Sequence, residues 1–273
     1  MLPFWLSIAV LSLLQGVTAA LPDVLRWQVA ERRRSGAWAL ILPLSIVLFV
    51  VAGAALASAS ADGLTYVALV GVPLGAALAL GVLMRGARPP LALLAAALFA
   101  LAWLLPGSLI GQAAGASLVS LSCVTLGVLI AAVTPARWLY AGIFAMALID
   151  AALVLSRQLQ APNRTLNAAH PVAHLPSLQD AAFGSAVMGY GDLFIAGVLG
   201  ALAASAWGRR GQLEAAALTA GLALAFDLMF FAVDELPATV PVAAALAVML
   251  VSRRVRSERA AGRAPARSQA AAP

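Results

Sequence analysis

The chain has no lysine, a single cysteine, two histidines, and charged residues at only 10% of its 273 positions. Each shortage excludes something. Without lysine there is no Ser–Lys dyad and no Schiff-base chemistry. Cys123 has no partner, which removes a disulfide framework and any cysteine-based metal site. A soluble domain carries roughly 25% charged residues, so this chain cannot cover itself for water. What fills the space is apolar: 63% hydrophobic residues and a mean hydropathy of +0.98. The class is an all-α, polytopic transmembrane helix bundle.

A membrane helix needs about 20 mostly apolar residues. On that measure the sequence predicts about nine spans, near 3–21, 37–58, 64–84, 90–106, 109–133, 137–156, 182–207, 215–233 and 237–252. The first ends in "GVTAALP", like a processing site, but it has no basic residues before it and is expected to be retained. With the N-terminus outside, fifteen of the 17 arginines fall on the inner side, leaving Arg157 and Arg164 outside. Cytoplasmic loops attract arginine, so the N-terminus is expected outside and the C-terminus inside. The division expected is a scaffold of five spans in 1–136, a second unit in 137–252 with an outer loop at 157–181, and a basic tail at 253–273. That tail, rich in Ala and Pro, reads as disordered and as attracted to anionic lipid headgroups; it has no interleaved aromatics for nucleic acid.

Three of the 11 acidic residues sit deep in apolar runs: Asp150 in "AMALIDAALV", Asp192 in "GYGDLF" and Asp227 in "LAFDLMF". A charged group at a helix centre costs roughly 2.5–3.5 kcal/mol on insertion scales, so such residues mark function. Asp150 lies ~9 Å, and Asp192 ~15 Å, from the outer ends of their spans at the helical rise of 1.5 Å per residue. Those two spans are sequence neighbours running antiparallel, so the carboxyls can meet in the outer half of the bilayer. Two acids at close range do not both ionise easily and hold one proton between them. That state suits water activation: one member takes a proton from water while the other polarises a carbonyl.

Gly189 and Gly191 let another backbone approach Asp192 and loosen the helix there. Ser185, Gly189, Asp192, Ala196 and Gly200 recur at three- and four-residue spacing, as one small, polar helix face. The last span opens with "DELPATVPVAAAL", where Pro237 and Pro241 are expected to prevent a regular first turn and to leave backbone groups beside a cavity.

"GYGD" at 189–192, a preceding span with Asp150 and a later "LPATVP" resemble the GxGD intramembrane aspartyl proteases, the group of presenilin and signal peptide peptidase. The resemblance runs from about residue 137 onward. It implies a nine-span, presenilin-like fold with Asp150 and Asp192 as the catalytic pair. It implies that Gly189, Tyr190, Gly191, Leu236, Pro237 and Ala238 contact substrate, a transmembrane or signal-peptide helix, with no metal and no cofactor. The chain departs from the family's pattern twice: Ile149 precedes the first aspartate where Tyr is usual, and Thr239 replaces the Leu of Pro-Ala-Leu. The arginine distribution matches the orientation of signal peptide peptidase, a bacterial cytoplasmic-membrane location being expected here. Prepilin peptidases share GxGD but carry Lys two residues later, where this chain has Phe194; a leader peptidase of that kind is an alternative. Another is a proton- or cation-coupled transporter with the three acids as a relay, a reading that gives Asp227 a task.

The outer loop at 157–181 is long and polar enough to act as a mobile cover. Within it His170 and His174 have zinc-pair spacing, but Pro171 disfavours a helix there and no third ligand is evident.

Overall fold

The computed structural model describes residues 3–23, 35–158, 160, 171, 175–233 and 235–263. His170, His174 and most of the outer loop lie outside these residues. About 81% of the described residues are helical, in agreement with the all-α class. The α-helices are α1 (Phe4–Ala20), α2 (Ile41–Leu78), α3 (Leu93–Leu104), α4 (Leu109–Val133) and α5 (Ala136–Leu155). A further helical stretch, Tyr190–Asp227, breaks at Gly208 into α6 (190–207) and α7 (209–227), and α8 is Val240–Arg263.

Among the described residues, four helical segments are long and apolar enough to cross a membrane, in the ranges Gly63–Leu83, Leu109–Val133, Ala136–Leu155 and Tyr190–Phe231. Three shorter apolar helices, Phe4–Ala20, Gly36–Leu48 and Pro89–Leu104, accompany them. The outward surface is greasy: Leu104, Leu148, Phe231 and Leu155 are 71–83% exposed. Bare apolar side chains on this scale belong against lipid tails rather than water. The chain is a membrane protein.

Where two spans were expected at 37–58 and 64–84, the single helix α2 runs through, so the described residues hold eight α-helices rather than nine. The ranges 41–46 and 64–75 of α2 both contribute to one central cavity. The expected seventh span also changes. Its first residues, 182–189, belong to a β-hairpin, β1 (Asp180–Phe183) paired antiparallel with β2 (Ala186–Gly189). Gly184 turns it with φ +62°, a backbone that glycine adopts without a steric penalty. The expected small face therefore dissolves: Ser185 sits in the hairpin turn and Gly189 caps the helix, leaving Asp192, Ala196 and Gly200 on α6.

Two further expectations are corrected at the C-terminal end. Pro241 does not disrupt a first turn; α8 starts at Val240, so Pro241 occupies its first turn, where a missing N–H matters least. Only Pro237 stands in irregular chain, its carbonyl accepting from Val240 N–H at 3.0 Å. The tail is not disordered throughout, because α8 continues to Arg263, with Arg254 and Glu258 paired at 3.0 Å across one helical turn.

Helix α6 is the axis of the bundle: every residue from 193 to 204 is buried. A helix apolar all round belongs inside. Between lipid-soluble helices close packing replaces the hydrophobic effect, and small residues let backbones touch. A Cβ on Gly197 would strike the Cys123 carbonyl of α4, and one on Gly200 the Ala19 carbonyl of α1. Hydrogen bonds stitch the same faces, Thr18 to Ser120 at 2.7 Å and Thr125 to the Gly75 carbonyl at 2.6 Å. At Gly208, φ +68° and ψ −171° reverse the chain, and α7 returns along α1 with Ala220 beside Gly16.

Among the described residues, most arginines with an ion pair, hydrogen bond or ring contact lie at one end of the bundle. Arg85 pairs with Asp23, Arg209 donates to the Ala20 carbonyl, and Arg253 lies over Trp207, itself stacked on Tyr140. Arg157, just beyond the end of α5, is at the opposite end.

Candidate functional site

Asp192 occupies the third position of α6, so it lies in the first helical turn and not mid-span as expected. Its Oδ2 accepts the Gly189 N–H at 3.1 Å, closing a cap over the start of the helix. The intervening Tyr190 is anchored to α4: its hydroxyl shares a hydrogen bond with Ser122 at 2.7 Å, and its carbonyl receives the Cys123 thiol at 3.7 Å. Gly191 leans on α5, where an added Cβ would meet the Met146 methyl at 3.4 Å. Met146 is one turn before Asp150, so this contact packs the start of α6 against the α5 turn that carries Asp150.

Asp150 is 7% exposed and lies five residues before the end of α5 at Leu155. Its Oδ2 accepts the Thr239 hydroxyl at 2.6 Å. Thr239 is 1% exposed.

Asp150 and Asp192 both line a half-open cavity of about 920 Å³. Of the sequence-predicted residues, Asp150, Asp192, Gly189, Tyr190, Gly191, Leu236 and Ala238 all line it; Pro237 does not. The remaining wall is mostly apolar, from α1, α2, α4 and the hairpin, with Ile8, Val72, Ser122 and Val187 among the contributors. Residues 1–136 are thus part of the site and not only a scaffold around it.

Asp227 lies elsewhere. It is absent from the cavity wall and accepts the Ser12 hydroxyl of α1 at 2.7 Å. A relay through all three acids finds no support in this arrangement.

Three site residues escaped the sequence reading. Thr239 was a departure from a motif and turns out to be the direct partner of Asp150. Ser122 holds Tyr190. Gln15, fully buried on α1, donates both amide hydrogens, to the Asp192 carbonyl at 3.0 Å and to the Ala238 carbonyl at 2.9 Å. A glutamine in the middle of a 17-residue apolar helix was itself a signal, since a polar group in lipid must find partners.

Chemically, the arrangement offers two carboxyl groups on one cavity, one donor fixed on each, and a space large enough for a peptide segment and water. Comparison with protein-family models, curated proteins and solved structures found no match.

Proposed function

We propose that the protein is a multi-pass intramembrane aspartyl protease of the GxGD type, cleaving transmembrane or signal-peptide helices with Asp150 and Asp192. The observation that carries this reading is that two membrane-embedded aspartates from different helices line one cavity together with the glycines before Asp192 and with Leu236 and Ala238. Nothing in packing alone calls for two carboxyls on one cavity of an apolar bundle, because the arrangement is costly unless it is used.

The ionised carboxyl removes a proton from water while the neutral one donates its proton toward the scissile carbonyl. The water oxygen bonds to the carbonyl carbon, giving a tetrahedral diol. Collapse breaks the C–N bond, and the amine leaves with a proton returned by the dyad. A carbonyl within a helix is shielded by its own hydrogen bond, so the substrate segment must unwind. Strand β2 lines the cavity and belongs to a two-stranded sheet, which leaves an edge against which an extended peptide can pair. The protein sits in the bacterial cytoplasmic membrane with its arginine-rich end inside, which favours substrates whose N-terminus is inside.

The test is cleavage of a model transmembrane peptide by purified protein in lipid vesicles. Asp150→Asn and Asp192→Asn should each lower the rate by about 10²–10⁴-fold, the usual contribution of a positioned acid or base, with folding intact. Wild-type cleavage by either variant would refute the dyad.

A further inference from the structure

We infer that Gln15 is a positioning residue for the dyad, and that helix α1 is the strut through which the two aspartates are held in register. The inference rests on the protease reading of Asp150 and Asp192. The amide of Gln15 clips the Asp192 main chain to that of Ala238, at 3.0 and 2.9 Å. Thr239 follows Ala238 directly, and its hydroxyl donates to Asp150 at 2.6 Å. A continuous path therefore runs from Asp192 through Gln15 and Ala238–Thr239 to Asp150. It joins α6 to the segment before α8 along the cavity wall, through Gln15, which does not itself line the cavity.

Glutamine is the side chain this place requires. Both targets are carbonyl oxygens, so two hydrogens must leave one terminal atom, which a hydroxyl cannot supply. An asparagine amide would stand one methylene short. The side chain is fully buried, so no water replaces it.

The same idea gives Asp227 a task. It holds Ser12, three residues before Gln15 and on the same face of α1, at 2.7 Å. Thr18, three residues after Gln15, is tied to Ser120 of α4 at 2.7 Å. Gln15 is thus fixed in height from both sides, and the third membrane acid anchors the strut instead of taking part in proton transfer.

The experiment measures kcat and KM for a model transmembrane peptide in vesicles, using the full chain and the variants Gln15→Met, Thr239→Val and the two combined. Gln15→Met conserves length and removes both donors. It should lower kcat about tenfold or more with KM near wild type, because the dyad geometry is disturbed. It should also lower the thermal midpoint, because two buried carbonyls lose their donor. The double variant should be little slower than the slower single one, since both break a single bridge. Unchanged kcat for Gln15→Met, a change in KM alone, or single effects that simply multiply would overturn the strut. If Gln15→Met is not recovered folded, Ser12→Ala decides: a lower kcat at constant KM supports the strut, and wild-type kcat overturns it. A wild-type protein that cleaves nothing, or an Asp150→Asn variant that cleaves normally, would sink the protease reading and this inference with it. An active, dyad-dependent protein indifferent to Gln15 and Ser12 would sink the inference alone.

Discussion

Thr239→Val is the most informative single change to the proposed site. It conserves shape and removes only the hydroxyl that donates to Asp150 at 2.6 Å. Hydrogen bonds to charged groups contribute about 1.5–3 kcal/mol. At 1.36 kcal/mol per factor of ten, a loss felt wholly in the transition state slows cleavage by about 10- to 150-fold. Thr239→Ser keeps the hydroxyl and should stay near wild type. Thr239→Leu would restore the residue usual in the resembled family. Here it would place a larger apolar group at a position only 1% exposed, adding an overpacking cost of about 1–3 kcal/mol to the lost donor. Initial rates on a labelled transmembrane peptide, alongside thermal unfolding in the same vesicles, separate the two effects. Wild-type rates for Thr239→Val, or equal losses for Val and Ser, would show that the hydroxyl does not serve Asp150.

Two further changes probe the surroundings. Asp227→Asn keeps an oxygen that can accept the Ser12 hydroxyl and should cleave close to wild type, whereas Asp227→Leu removes that acceptor and should cleave more slowly; ion flux lost in Asp227→Asn vesicles would revive a transport role. Gly208→Ala forces a side chain onto φ +68° and ψ −171°, a conformation costing about 1–3 kcal/mol for other residues, and should lower the thermal midpoint with little effect on the rate of the folded protein.

The helices legible in the sequence are those whose ends are chemically abrupt. The expected spans 3–21, 109–133 and 137–156 match Phe4–Ala20, Leu109–Val133 and Ala136–Leu155 closely, because Pro3, Ser108 and Pro135 precede apolar runs that stop at turn residues. The sites of Asp150 and Asp192 were legible for a related reason: a carboxyl in an apolar run stands out whatever surrounds it. Hydropathy could not separate the hairpin from the helix after it, since "DAAFGSAVMG" is as apolar as a span and only tertiary pairing chooses strand. Nor could it show what Gln15 meets, because both partners are main-chain carbonyls, and every residue supplies one. Thr239 was read against a motif and not against its neighbour in space.

The hairpin also changes the explanation of the glycines before Asp192. Were the helix to run unbroken from residue 182, the Gly189 N–H would be committed to the carbonyl four residues earlier, and Asp192 would stand in mid-helix with no main-chain donor. Because β2 ends at Gly189 and α6 begins at Tyr190, that N–H is free and turns onto the Asp192 carboxyl at 3.1 Å. A helix start also directs the positive end of its dipole at the first turn, where this carboxyl sits. The three-residue step from Gly189 to Asp192 is the step of a capping box, the last position of an extended strand reaching the third of a helix. The intervening Gly191 then needs no special backbone freedom; its lack of a side chain keeps the turn close to Met146 and hence to Asp150. The motif is best understood as the junction of a strand and a helix inside the bundle, built so that a carboxyl at that junction lines the same cavity as a second one.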